Sequence, residues 1–268
     1  MIAQTSSPLG ARAPLSGRRF PFLSNVILFD AVPSTNDVGK AIAEKLLEDG
    51  TEIPPTVLAT RRQTAGRGRG SRSWVSPGDT GLALSLLLPW PEGPERVRLP
   101  LRIGIVLARG LSARFGIEVR LKWPNDLLVG RRKLGGILVE ARAGADGEGY
   151  AVAGIGLNVR TARPMLDAEG LAEATSLAEA GVSASLLSHD DALSTLVEIL
   201  DAGLSAPPFD LPAAFESVSA HRPGDRLTVL DAGRETEGAF LGVTADGFLR
   251  LGTTGGEERV VSGDIASF

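Results

Sequence analysis

The chain has 268 residues, 43% of them hydrophobic and 22% charged, with a net charge of -4 and no cysteine. That balance fits a globular protein of one large domain, or one plus a small one. It excludes disulfides, thiolate metal sites and a cysteine nucleophile, and the negative charge weighs against general nucleic-acid binding.

Residues 1–24 are rich in Ser, Pro, Ala and Arg, and the first acidic residue is Asp30. They read as a flexible leader without a secretion signal. Asn25–Asp30 is a short apolar strand. Ser34 or Thr35 caps a helix that runs to about Glu48 and stops at Gly50. Thr56–Thr60 is a strand. Arg61–Ser73 is a glycine- and arginine-rich loop with no acidic residue. Gly81–Leu88 is a continuous apolar strand, too uniform for an exposed edge. Val97–Phe115 has helical apolar spacing and ends at Gly116. Glu118–Lys122 and Leu127–Val129 are strands, the second turning at Gly130 into Arg132–Glu140. Tyr150–Leu157 is a strand and Asp190–Leu204 a helix. Strands that follow one another through short turns predict a mixed or largely antiparallel central sheet, hence an α/β or α+β domain.

The pattern changes near Pro207-Pro208 and His221-Arg222-Pro223-Gly224-Asp225. Only short strands follow: Arg226–Leu230, Glu235–Val243, Phe248–Leu251 and Glu257–Val261. Turns at Asp231-Ala232-Gly233, Asp246-Gly247 and Gly255-Gly256 complete what reads as a small β-barrel. The expected organisation is a leader at 1–24, a main domain at 25–220 and a barrel at 221–268. No apolar run approaches the roughly 20 residues that span a bilayer. The two histidines, His189 and His221, are too far apart in sequence to suggest a zinc site or a serine–histidine triad.

Lysine is rare. Of 28 positive side chains only Lys40, Lys45, Lys122 and Lys133 are lysines, leaving 24 arginines. Two of the four sit in Lys122-Trp123-Pro124-Asn125-Asp126 and the Lys133-Leu134-Gly135-Gly136-Ile137-Leu138 run seven residues on. A compact ammonium approaches a single anionic oxygen where the wide guanidinium fork does not. In Gln63-Thr64-Ala65-Gly66-Arg67-Gly68-Arg69-Gly70-Ser71-Arg72-Ser73-Trp74, glycines let backbone N–H groups approach a ligand and arginines offer bidentate contacts to phosphate or carboxylate. That describes an anion-binding loop, mobile when empty. A solvated linker or an RNA-binding tract has the same composition. Ser34-Thr35-Asn36 reads as a helix cap or as donors and acceptors for a polar heterocycle. Trp123-Pro124-Asn125-Asp126 reads as a proline turn with a packed Trp, or as a carboxylate serving Mg²⁺ or an incoming amine. Gly154-Ile155-Gly156-Leu157-Asn158 reads as a tightly packed strand end, or as room for a flat base with Asn158 at its edge.

Taken in order, these four pieces resemble the biotin–protein ligases, from about Asn25 to the C-terminus. The resemblance implies a biotin/lipoate ligase-like α+β fold with a central mixed sheet, plus a small C-terminal β-barrel. It implies that biotin and ATP, with Mg²⁺, give biotinyl-5′-AMP and pyrophosphate. A lysine of a biotin carboxyl carrier protein domain, from acetyl-CoA carboxylase or a related carboxylase, then attacks the mixed anhydride. By matching positions, Ser34, Thr35 and Gln63 hold the ureido ring, with Asn36 beside them. Arg67, Gly68 and Arg69 lie along the carboxylate and phosphate path, with Gly66 at its start. Lys133 sits where the biotin carboxylate meets the α-phosphate, and Lys122, Asn125 and Gly136 line the same region. Trp74 covers biotin and Asn158 meets adenine. Asp126 orients or deprotonates the carrier lysine, or serves the metal.

The sequence departs from the family loop at Ser71, where a glycine is common. Some members carry a helix-turn-helix domain, and about 24 residues before the first strand are too few for one, so no DNA partner is expected. The resemblance also implies a cytoplasmic enzyme, with a homodimer among its assembly states. Two other readings stand beside it. A lipoate ligase or octanoyltransferase would show a Gly-Gly-Gly run or a cysteine, and neither occurs. A non-catalytic biotin-binding protein would not need Lys133.

Overall fold

The computed structural model describes residues 15, 18–70, 72–77, 80–90, 93–143 and 148–267. Twelve strands and five α-helices are assigned among them. The first seven strands are β1 (Asn25–Val32), β2 (Thr56–Gln63), β3 (Gly81–Pro89), β4 (Val119–Lys122), β5 (Asp126–Val129), β6 (Arg132–Ala143) and β7 (Gly149–Asn158). They form one mixed sheet in the order β1-β2-β3-β7-β6-β5-β4. Only β1 and β2 pair in parallel; β2–β3, β3–β7, β7–β6, β6–β5 and β5–β4 are antiparallel. The parallel pair is joined through helix α1 (Thr35–Glu48), the crossover that parallel strands require.

Strand β3 is buried along nearly its whole length. Leu82, Leu84, Leu86 and Leu88 point into the main core, which includes residues of α2 (Glu95–Phe115), α4 (His189–Ser205) and α5 (Leu211–Val218). Leu87 points the other way, into a second cluster with Ala43, Ile53, Tyr150 and Val152 under α1. Side chains alternate between faces along a strand, so burial on both faces gives an unbroken apolar run. Helix α1 covers only part of its face. Beyond the body of the helix this face carries Ala83 of β3, Gly154 and Gly156 of β7, and Gly136 and Leu138 of β6, neighbours through the ladder, with Ser85 of β3 buried beneath the start of the helix.

The C-terminal strands β8 (Arg226–Asp231), β9 (Arg234–Val243), β10 (Leu249–Thr253), β11 (Gly256–Val260) and β12 (Asp264–Ser267) form a second, antiparallel sheet in the order β11-β10-β9-β8-β12. The expected barrel is therefore an open sheet with β11 and β12 at its edges. Strand β12 is four residues long and ends in Ser267, too short and polar to show as a strand in the sequence. Helix α3 (Arg163–Ala168) and α5 were also not anticipated. Helix α5 starts from Asp210, whose side chain accepts from Ala213 N, and its Phe215 is fully buried. The Phe215 ring meets Phe240 of β9 edge-on at 6.4 Å, joining α5 to the second sheet. Trp123 is buried and donates from Nε1 to Gly247 O at 3.0 Å, a second join.

Of the leader, residues 1–14, 16 and 17 lie outside the described residues. Its end is anchored rather than loose: the backbone N–H groups of Phe22 and Leu23 both donate to Asp201 Oδ1 at 2.9 Å, and Arg18 pairs with Glu198. No described helix is long and apolar enough to cross a membrane.

His221 is buried at the junction, its ring 5.7 Å from that of Phe240. Burial, then the positive charge of Lys122, pushes its pKa from 6.5 down to about 4, with Asp225 opposing. The unfolded chain takes up a proton that the folded chain refuses until about pH 4. This contribution to stability is complete above about pH 6.5 and is lost as pH falls toward 4, by on the order of 3 kcal/mol. Urea unfolding between about pH 7 and 4.5 should show this loss, and His221→Gln should flatten it. Equal pH slopes in the two proteins would contradict the assignment.

Candidate functional site

Helix α1 opens at the uncovered strip of the sheet. Ser34, Thr35 and Asn36 are 2%, 2% and 4% exposed, so their polar groups need partners within the fold or on a ligand. Ser34 stands at the N-cap, yet its side chain makes no cap bond. Gln63, at the end of β2, takes that role: Thr35 donates to Gln63 Oε1 from its backbone N at 2.8 Å and from Oγ1 at 3.1 Å. Asn36 donates from Nδ2 to Glu140 Oε2 at 2.8 Å and to Leu138 O at 3.3 Å. Behind both lies Ser85, its Oγ 2.7 Å from Thr35 Oγ1 and 2.6 Å from Asn36 Oδ1. The helix-cap reading of Ser34 is thus replaced by a buried polar cluster that leaves the Ser34 hydroxyl to the pocket.

The glycine–arginine segment starts later than expected, because β2 runs on to Gln63. It folds back on itself: Gly68 N donates to Arg72 O at 2.8 Å and Trp74 N to Gly66 O at 3.0 Å, with a bridge between Arg67 and Ser73. Gly66 therefore shapes the loop and is not among the pocket-lining residues. Ser71 lies outside the described residues. The arginines are each met by carboxylates. Arg67 reaches Glu140 at 2.6 Å and Asp37 at 2.8 Å, and Lys40 pairs with the same two acids. Arg69 reaches Asp264 of β12 at 2.8 Å and also donates to Gly263 O and Asn125 Oδ1; Arg72 reaches the other Asp264 oxygen at 2.7 Å.

Asp126 and Lys133 face each other across the β5–β6 hairpin, Nζ 2.6 Å from Oδ1. Asn125 pins this turn to β6, accepting from Ile137 N at 3.0 Å and donating to Ile137 O at 2.8 Å. Lys122 pairs with Asp126 in the β4–β5 register and lies outside the pocket lining. Burial lowers its pKa, with Asp126 and Asp264 opposing and Lys133 and Arg72 adding to the shift.

One pocket gathers most of the expected residues: Ser34, Thr35, Asn36, Gln63, Arg67, Gly68, Arg69, Trp74, Asn125, Asp126, Lys133 and Gly136. Its polar end is the Ser34–Gln63 cluster and its cationic end the Arg69–Lys133 region, an arrangement that suits a molecule with a polar head and an anionic tail. The expected room for a flat base on Gly154 and Gly156 is filled by the protein itself. Trp74 lies on Gly156 and the Asn36 amide on Gly154. Asn158 is buried, donates to Thr175 O at 2.9 Å and does not line the pocket. Sequence reasoning missed Ser85, Glu140 and Asp264. Ser85 carried a signal, as the one polar residue inside an apolar strand.

Among the described residues no group of three acids or histidines is placed to hold a metal. Asp126 supplies one carboxylate, already paired with Lys133. The donor set does not fit a protein-held ion; Mg²⁺ bound chiefly by phosphates and water needs no more than one carboxylate.

Residues 28–158 match the biotin/lipoate A/B protein ligase family, and residues 224–266 match the biotin protein ligase C-terminal domain. A biotin–[acetyl-CoA-carboxylase] ligase of Mycobacterium tuberculosis is 31% identical over 226 residues, 81% of this chain and 80% of that one. A bifunctional ligase/repressor of Bacillus spizizenii is 34% identical over 158 residues, 58% of this chain and 47% of that one. The chain thus spans about half that relative's length. A biotin protein ligase from Aquifex aeolicus, solved in complex with biotin and ATP, superposes with a TM-score of 0.71 at 26% identity, covering 91% of this chain and 98% of that one.

The loop contacts give a direct expectation. Asp264→Ala removes the partner of both Arg69 and Arg72. Partly exposed pairs of this kind contribute about 1 kcal/mol together, so local opening of residues 64–73 should rise about fivefold. Trypsin should cut the segment faster by about that factor, and an unchanged rate would contradict the role given to Asp264.

Proposed function

The chain belongs to the biotin protein ligase family, and from that membership we propose that it activates biotin as biotinyl-5′-AMP and transfers it to a lysine of a biotin carboxyl carrier protein domain. The observation that carries the proposal is one pocket with a polar cluster at one end and Lys133 with Arg69 at the other. Residues 25–220 form the catalytic part and 221–268 its cap.

In the first half-reaction a biotin carboxylate oxygen attacks the α-phosphorus of ATP, and the bond to pyrophosphate breaks. Two anions must meet, so fixed cations at the meeting point lower the barrier most. Lys133 is the group for that point. Its ammonium is compact, and Asp126 holds it at 2.6 Å. Arg69 and Arg72 exchange Asp264 for phosphate oxygens, a trade of one carboxylate for a more highly charged anion. Mg²⁺ travels with ATP as part of the substrate. Ser34, Thr35, Asn36 and Gln63 meet the ureido head. Trp74 covers the bicyclic ring system and keeps water from the anhydride.

In the second half-reaction the carrier amine attacks the anhydride carbonyl and AMP leaves. A lysine amine has an ordinary pKa near 10.4 and must shed a proton. Asp126 is the carboxylate at that end of the pocket, and it orients the amine and takes the proton as the bond forms. A lipoyl substrate fits less well, because an apolar dithiolane offers no hydrogen bond to the polar groups that Ser34 and Gln63 present to the pocket.

Lys133→Ala should reduce biotin-dependent pyrophosphate release about a hundred- to thousandfold, and Lys133→Arg should not restore it. Release near the wild-type rate in either variant would overturn the assignment. Asp126→Asn should slow transfer from supplied biotinyl-5′-AMP more than it slows adenylate formation. The reverse order would assign the carboxylate to the metal.

A further inference from the structure

Lys133 stands near the start of β6, where that strand changes partner. The ladder between β6 and β7 begins only at Gly135, opposite Leu157. Before it, residues 173–175 run parallel to Lys133 as a short arm: Lys133 N donates to Glu173 O and Thr175 N donates to Lys133 O, each at 2.8 Å. Both backbone polar groups of Lys133 are thus spent on the arm. Ala174 and Thr175 are buried, so the arm is seated in the fold. Side chains hold its remaining carbonyls. Asn158 Nδ2 donates to Thr175 O at 2.9 Å, and Arg163 donates to Ala174 O at 2.8 Å and to Ala172 O at 3.3 Å. Arg163 opens α3 and is itself aimed by two acids, Glu179 at 3.5 Å from Nε and Asp167 at 3.6 Å from Nη1. Its flat fork spans two carbonyls at once, which a lysine cannot do. Arg163 is not among the pocket-lining residues, so it acts on the site only through the arm.

We propose that Arg163 is a positioning residue for Lys133: by gripping Ala172 O and Ala174 O it holds the arm against the Lys133 backbone and fixes the point from which the ammonium reaches the reacting anions. This rests on the adenylation role given to Lys133 above. A lysine head rides on a flexible four-carbon stem, so it is aimed only when both ends of the side chain are held. Asp126 holds the Nζ end at 2.6 Å, and the arm holds the backbone end. A misplacement of about 1 Å at a reacting group can cost up to about a hundredfold in rate. Releasing the arm shifts the lysine without removing it, so the loss stays below that of deleting Lys133.

The test uses the full chain and biotin-dependent pyrophosphate release. Arg163→Ala should lower kcat about tenfold and leave KM for biotin within about twofold, the mark of an interaction felt in the transition state. Arg163→Lys, which reaches one carbonyl, should recover part of the loss. In a Lys133→Ala background, Arg163→Ala should change the residual rate by less than about twofold, because no ammonium is left to position. An equal fall in both backgrounds would make Arg163 a general prop of the fold and overturn the proposal, as would an unchanged kcat in Arg163→Ala. Hydrogen exchange of the ligand-free protein reads the clamp without any substrate: the Lys133 and Thr175 amides should exchange at least about tenfold faster in Arg163→Ala. Wild-type protein with no biotin-dependent release would sink the biotin reading, whereas unchanged exchange at those two amides overturns the clamp.

Discussion

A Cβ at Gly156 would stand 2.3 Å from the Trp74 ring, and one at Gly154 would stand 2.4 Å from Asn36 Oδ1. Neither side chain could then rest on the sheet. The site depends on this bare stretch of β7, because the strip uncovered by α1 would otherwise be filled by the sheet's own side chains. Trp74 closes the upper part of the strip and carries the glycine–arginine loop with it, through Trp74 N and Gly66 O. Asn36 occupies the lower part and links α1 to Ser85 and Glu140. Removing two side chains from a central strand sacrifices packing and β-propensity. The sheet tolerates it because β3 and β6, on either side, are long and paired with β7 throughout.

The same architecture explains how five cations coexist beside one small pocket. Lys40 and Arg67 share Asp37 and Glu140, Arg69 and Arg72 share Asp264, and Lys133 holds Asp126. These carboxylates stand where substrate anions would otherwise be needed to quiet the repulsion. A ligand must therefore compete with internal anions, and a polyphosphate, with several charges on one molecule, is suited to do so. Asp264 lies on the last strand of the second sheet, so the loop and the C-terminal part are tied by the same contacts.

Much of this was legible in the chain. Glycine, arginine and lysine placed against the background composition marked the loop and the Lys122–Lys133 segment, because each supplies something its neighbours cannot. The central sheet followed from short turns between apolar runs. What escaped were partnerships with no local signature. Asp264 meets Arg69 across 195 positions, and nothing around it marks an ion-pair partner. Helix α5 is short and follows Pro207-Pro208, which reads as a boundary. The Gly154–Asn158 segment had two readings, a tightly packed strand end or room for a flat base with Asn158 at its edge, and the family resemblance favoured the second. Its side chain turns to Thr175, in a segment that closes over that end of the sheet: Leu177 N donates to Asn158 O and Thr175 N to Lys133 O. Strand periodicity gives the face on which a residue lies, not what loop will cover it.

The proposed chemistry requires that the pocket activate biotin for transfer to a protein lysine. Intact-mass spectrometry of a biotin carrier domain, after incubation with this protein, biotin and MgATP, reads both half-reactions at once. The carrier should gain the mass of one biotinyl group on one lysine, dependent on ATP and absent with lipoate in place of biotin. An unmodified carrier domain, while a known biotin protein ligase modifies it under the same conditions, would contradict it.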